Sequence, residues 1–183
     1  MKRRAFITLL GGAAAAWPVV VRAQQPAMPV IGFLSTRSPQ EAAHLVRAFH
    51  RGLSENGFVD GQNLTVDFRW ADGRYDRLPA LAAGLVRRLV KVIAATGGEP
   101  APLAAKAATA TIPIVFAVGG DPVRSGLVAS YGQPGGNITG VSILTRTMEA
   151  KRIGLLREVV PGATTIGFLM NPTGSRSRRS LPI

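Results

Sequence analysis

The residues able to do chemistry in this 183-residue chain are few. The ten carboxylates are mostly spread over turns and predicted helix surfaces. Asp121 is the exception. It follows the apolar run Ile112–Val118 and two glycines, in the sequence IPIVFAVGGDP. Its carboxylate can cap the segment that begins at Pro122, or accept a hydrogen bond from a polar or cationic ligand group, or do both. Asn137 divides in the same way between turn residue and ligand contact, with the turn favoured. Ser35, Thr36 and Thr96 add hydroxyls that both donate and accept. His44 and His50 are six residues apart, whereas metal ligation on one helix face wants three or four, so both read as surface residues. With no cysteine, thiolate catalysis, disulfides and cysteine-bound metals are excluded. No phosphate-binding loop, dinucleotide glycine fingerprint or nucleophile-elbow serine occurs. The sequence therefore offers no catalytic set, no metal site and no cofactor motif.

The elements that must position these groups alternate between strand and helix. Val30–Leu34 reads as a buried strand, followed by a capping box at Ser38-Pro39-Gln40-Glu41. The helix after it carries an apolar stripe of Ala42, Leu45, Val46, Phe49 and Leu53, closed by Asn56-Gly57. Leu64–Trp70 alternates apolar and polar residues, the pattern of a half-covered strand near a sheet edge. Asp76 is placed to cap the next helix, whose buried stripe is Leu78, Leu81, Ala82, Leu85 and Leu89. Val92–Ala95 predicts a third strand, Ala101–Ala110 a helix, and Ile112–Val118 a fourth strand buried on both faces. A short helix over Val123–Tyr131, a strand over Ile138–Leu144, a helix over Thr145–Val160 burying Ile153, Leu156 and Val160, and a sixth strand over Thr165–Met170 complete the pattern. Such alternation predicts an α/β fold: a Rossmann-like parallel sheet with helices on both faces and right-handed crossovers. The polar tips at Ser35-Thr36, Thr96-Gly97-Gly98 and Gly119-Gly120-Asp121 then share the carboxyl rim of the sheet, where open α/β sheets bind ligands.

Composition bounds the partners. Four of the twelve net positive charges lie in residues 1–23 and three more in the last ten residues. The body keeps about +5, without a basic block or interleaved aromatics, which argues against nucleic acid. Residues 1–23 read as an export signal. Lys2-Arg3-Arg4 precedes the apolar Ala5–Val21, and Val21-Arg22-Ala23 permits cleavage before Gln24. Arg3-Arg4-Ala5-Phe6-Ile7 resembles a twin-arginine signal. The 17-residue run, holding two glycines and Pro18, is short for a permanent span, so stable membrane insertion after cleavage is not expected. Residues 24–29 form a linker.

The segments VIGFLS, AFHRGLSENGFVDGQNLTVDFRWADG, DRLPALAAGLV, IPIVFAVGGDPVRSGLV, PGGNITGVSIL and LLREVVPGATTIGFLMNP together resemble the extracytoplasmic substrate-binding proteins of ABC transporters, in the group of tryptophan/tyrosine-type uptake systems. The resemblance implies two Rossmann-like lobes that close over a small molecule, an amino acid or related metabolite, and deliver it to a membrane permease in the periplasm. It implies a binding protein and not an enzyme, with no cofactor. Carried over by position, Ser35, Thr36, Thr96, Gly97, Gly120 and Asp121 line the first lobe's side of the cleft, and Asn171 lines the other. The first lobe is then 30–144 and the beginning of the second 145–172. The family's chains are longer, and the basic tail 173–183 resembles the out-of-frame end of an interrupted gene, so a truncated and impaired copy is expected. The alternatives are a small Rossmann-like enzyme using Asp121 as a general base, which would need a second titratable group on the rim, and a sensor domain of the same fold.

Overall fold

A computed structural model describes residues 28–144 and 148–167. Five strands form one parallel sheet: β1 (Val30–Ser35), β2 (Thr65–Trp70), β3 (Val92–Thr96), β4 (Ile114–Val118) and β5 (Ile138–Ser142). Their order across the sheet is β2-β1-β3-β4-β5. The helices are α1 (Ala43–Glu55), α2 (Leu78–Arg87), α3 (Pro100–Ala108) and α4 (Glu149–Val159). The α/β architecture and the edge position of β2 agree with the sequence pattern.

Two apolar clusters sandwich the sheet. On one face Leu34, Ile93, Ala95, Ile114, Phe116 and Ile138 meet Ala82 and Leu85 of α2 and Ala101 and Ala105 of α3. On the other, Phe33, Leu64 and Val66 lie beneath Val46, Phe49 and Leu53 of α1. The capping box is present as a reciprocal pair, with Ser38 N–H donating to Glu41 Oε2 (3.0 Å) and Glu41 N–H to Ser38 Oγ (3.3 Å). Regular helix starts only at Ala43, because residues 39–42 form a turn. At the sheet edge, Asp67 pairs with both Arg69 Nε (2.9 Å) and Arg88 Nε (3.1 Å). Arg88 thus ties the end of α2 to β2 as well as facing the helix's negative pole.

Several expectations fail locally. Residues 122–126 form turns and not the start of a helix over Val123–Tyr131: Leu127 and Val128 N–H both donate to Pro122 O (2.9 and 3.2 Å). The left-handed φ of +74° at Gly126 ends any helical path. Asp76 makes no cap; it sits in the short 3-10 turn Tyr75–Arg77, facing Arg74 at 3.4 Å. Leu89 is exposed, since α2 has already ended and its φ of +55° turns it away. Strand β4 is buried on one face only: Ile114, Phe116 and Val118 point into the core, whereas Val115 is 46% exposed. Ile153, Leu156 and Val160 of the α4 region are exposed, not buried. Residues 163–167 have no regular structure, and the rest of the expected sixth strand, 168–170, lies outside the described residues.

Candidate functional site

In the order β2-β1-β3-β4-β5 the chain runs outward from β1 in one direction and from β3 in the other. The switch point, where open α/β sheets leave a crevice beyond their carboxyl ends, therefore lies between β1 and β3. Ser35 and Thr96 are register partners at the last positions of these two strands. The structure thus brings Ser35, Thr36, Thr96 and Gly97 together at one point of the rim.

Their hydrogen bonds show how the rim is stitched. Thr36 Oγ1 donates to Gly97 O at 2.7 Å, joining the β1 loop to the β3 loop. Thr36 N–H reaches Thr96 O at 3.4 Å. On the other side, Ala71 N–H donates to Ser35 O (2.9 Å) and Gly73 N–H to Thr36 O (2.8 Å), joining the β2 loop. Ser35 Oγ accepts from Arg37 N–H at 3.2 Å. Ser35 and Thr36 are 0% and 3% exposed, so they form the floor of the crevice. The half-buried Thr96, Gly97 and Gly98 and the exposed Arg37 stand above that floor. Thr96 Oγ1 is buried, with no hydrogen-bond partner among the described residues.

Gly120 and Asp121 belong to the same rim but are directed elsewhere. They follow β4, two strand spacings or about 10 Å from β1. Gly120 is buried, and its carbonyl accepts from Ser142 Oγ of β5. Asp121 Oδ1 accepts from Val123 N–H (2.9 Å) and Arg124 N–H (3.2 Å), which is the capping geometry expected of an aspartate before a turn. Partial burial pushes its pKa upward. The Arg124 and Val123 amides, the Tyr131 hydroxyl and the Arg124 charge outweigh that and hold it below the ordinary carboxylate value. The Tyr131 phenol is raised in turn, by burial and by the neighbouring carboxylate. Because the folded pKa of Asp121 is depressed, its stabilisation is present above the unfolded value and is lost as pH falls through the folded one. Asp121→Asn should therefore flatten the acid limb of a thermal-unfolding profile taken from pH 7 to pH 3. An unchanged acid limb would show that the cap contributes nothing.

Asn137 takes its structural option: its side-chain amide donates to Thr109 O (3.2 Å) and Ile112 O (2.7 Å), fixing the entry to β4. Asn171 lies outside the described residues. Sequence reasoning passed over Glu99, which is buried beside the rim at the start of α3. Its place directly after Gly97-Gly98 and before Pro100 was the available signal. It also passed over Trp70, the register partner of Ser35 at the end of β2. Among the described residues no group of histidines and carboxylates could hold a metal ion, and no helix is long and apolar enough to cross a membrane.

Comparison with known proteins shows what the chain is similar to. The family described as ABC transporter substrate binding protein matches residues 29–182. A tyrosine-binding protein of Clostridioides difficile (strain R20291) is 32% identical over 135 residues, which are 72% of this chain and 37% of the relative. An ABC domain in complex with L-Trp from Streptococcus pneumonia superposes with a TM-score of 0.57 at 29% identity, covering 62% of this chain and 38% of that one. The ligand-free, open structure of a substrate binding protein with adhesive properties from Clostridium difficile gives 0.58 at 29% identity, covering 68% and 43%. A conserved domain protein from Vibrio cholerae gives 0.64 at 27% identity, covering 74% and 45%. The chain thus spans less than half the length of each of these relatives. With a family match across most of its length and a parallel sheet ending in a polar rim, the chain belongs to the ABC transporter substrate-binding protein family.

Proposed function

We propose that this chain supplies one wall of the ligand cleft of an extracytoplasmic solute-binding protein that presents an amino acid or related small metabolite to a membrane permease. The observation that carries the reading is the convergence of Ser35, Thr36, Thr96 and Gly97 on the switch point between β1 and β3. The hydroxyls of Ser35 and Thr36 brace the floor, and the Thr96–Gly98 segment above them offers polar groups to a ligand. Gly120 and Asp121 form the flank of the same wall, Asp121 shaping its loop through the cap. Residues 145–172 begin the opposing lobe, with Asn171 on its side of the cleft. The names of the relatives, one tyrosine-binding and one solved with L-Trp, support aromatic amino acids as the first ligands to try. Lys2-Arg3-Arg4 and the apolar segment after it support export by the twin-arginine route, with cleavage before Gln24. The reading is of a carrier and not an enzyme.

The test is calorimetric titration and thermal shift of the chain from Gln24 onward with L-tryptophan, L-tyrosine and the other amino acids. The same titrations are run on a version extended with the second lobe of a relative. Binding in the extended version, weaker by one or more powers of ten in the chain alone, is expected. Each power of ten corresponds to about 1.4 kcal/mol of contacts supplied by the second wall. Absence of binding in both versions, for every amino acid and for small organic metabolites, would overturn the reading.

A further inference from the structure

The last row at the carboxyl rim runs through Trp70, Ser35 and Thr96, which stand in direct register on β2, β1 and β3. Successive side chains of a strand alternate between faces, so these three share the face of Phe68, Phe33 and Ala94, the row before them. Ser35 is part of the crevice floor, and Thr96 brings a buried hydroxyl with no hydrogen-bond partner among the described residues. Trp70 is the third member of the row, and its setting shows what it can add.

Trp70 is half-buried. Its ring lies parallel to that of Phe68, with centroids 5.7 Å apart and planes at 2°, and 5.5 Å from the ring of Phe33. Both partners belong to the row below, because Phe68 precedes Trp70 by two residues and Phe33 is the register partner of Phe68. One face of the indole therefore rests on the aromatic cluster, and the stack directs the other face beyond the strand ends, towards the rim. Among the described residues no aromatic ring covers that second face. The chain after Trp70 is fastened to the crevice floor, by Ala71 N–H to Ser35 O and Gly73 N–H to Thr36 O. A ring held from below and anchored at its strand end offers a flat apolar surface at little further cost in conformational entropy.

From this arrangement we infer that Trp70 determines specificity in the proposed cleft. Its rim-facing indole face stacks on the aromatic side chain of the bound amino acid, while the Thr96–Gly98 segment takes the polar end. The spacing allows it: neighbouring strands lie about 5 Å apart, so Trp70 stands about 10 Å along the row from Thr96, a distance one aromatic amino acid can bridge. The inference rests on the cleft proposed above and adds which ligands that cleft prefers. An aliphatic side chain gains only buried area against the indole, whereas an aromatic one also gains the offset-stacking attraction between rings. A tryptophan that served the fold alone would, when replaced, weaken every ligand alike.

Calorimetric titration of the chain from Gln24 onward, and of its version extended with a second lobe, with L-tyrosine, L-phenylalanine and L-leucine tests this. The wild type should bind the two aromatic amino acids about tenfold more tightly than L-leucine. Trp70→Leu should erase that preference while leaving L-leucine within about threefold of its wild-type affinity, and Trp70→Phe should keep most of the preference. Phe68→Leu disturbs the same cluster from beneath and should keep the preference too. Should Trp70→Leu fail to fold, the wild type still decides. Trp70 is the one tryptophan in the chain from Gln24 onward, and saturating L-phenylalanine, which does not emit with indole, should shift its emission. Unchanged emission, a wild type without aromatic preference, or a preference that survives Trp70→Leu would overturn the inference and leave the cleft standing. So would an equal loss for all three ligands in Trp70→Leu, or a loss of preference in Phe68→Leu as large as in Trp70→Leu. Absence of binding by any amino acid in either version would overturn the proposed cleft, and the inference with it.

Discussion

Gly97→Ala is expected to destabilise the folded chain by about 2–4 kcal/mol, a large share of the roughly 5–15 kcal/mol that keeps a domain folded. Two costs combine. Gly97 has φ +90°, a conformation that an L side chain adopts only under strain of about 1–3 kcal/mol. A Cβ there would also run into Thr36 Oγ1, would lie 3.0 Å from the backbone nitrogen of Thr36, and would stand 3.2 Å from Ser35 Oγ. All three atoms belong to Ser35 and Thr36, the buried floor of the crevice, which has no room to yield. The Thr36 to Gly97 hydrogen bond would have to lengthen or break, opening the junction between the β1 and β3 loops. Gly52→Ala in α1 is the matching control, because nothing lies within 4 Å of its added methyl and its backbone is helical. It should be neutral or stabilising by about 0.5–1 kcal/mol. Urea unfolding of the two variants measures the contrast. Gly97→Ala within 0.5 kcal/mol of the wild type would mean the two loops are not clamped as described.

That clamp marks the limit of what could be read from the sequence. The glycines after β3 and the hydroxyls after β1 were legible as a rim because apolar runs ending in polar loops identify strand ends without any knowledge of pairing. Which two of the polar tips become neighbours depends on strand order, and strand order is set by long-range packing that no local spacing records. Hence Ser35 and Thr96 were foreseen on the same edge but not as register partners, and Asp121 was grouped with them although β4 stands one strand further out. The same reason explains β4. Its continuous apolar composition pointed to burial on both faces, but Val115 and Ala117 are exposed, because among the described residues no element packs on that face of β4. Between Val123 and Tyr131 the local signal itself was ambiguous. Val123, Leu127 and Val128 have helical spacing, and yet all three turn into the core from a looped backbone held by Pro122 O. Hydrophobic spacing reports which residues face inward, and a turn can present them as well as a helix can.

Phe33→Ala is the substitution expected to cost most, about 3–5 kcal/mol, and should leave the chain near the edge of unfolding. Phe33 is 1% exposed at the centre of the α1 face. Its ring lies 5.2 Å from Phe49, 5.2 Å from Phe68 and 5.5 Å from Trp70, so its removal empties the space on which three other rings rest. The cluster cannot collapse to fill that space, because β1 and β2 are fixed in register beneath it and Phe68 and Trp70 already stack on each other with their planes 2° apart. Phe33→Leu keeps most of the volume and should cost no more than about 1.5 kcal/mol. Phe58→Ala, at an exposed aromatic outside the cluster, should stay within about 0.5 kcal/mol of the wild type. In a chain beginning at Gln24, Trp70 is the one tryptophan left, and its emission reports the cluster directly. The effect reaches the site through α1. The loop 36–42, which carries Thr36 into the crevice, is held at one end by β1 and at the other by the helix that rests on Phe33. Phe33→Ala should therefore weaken any ligand-induced thermal shift even under conditions where the chain remains folded, whereas Phe33→Leu should preserve it. An unaltered shift in a folded Phe33→Ala variant would show that the aromatic cluster supports the fold without positioning the rim.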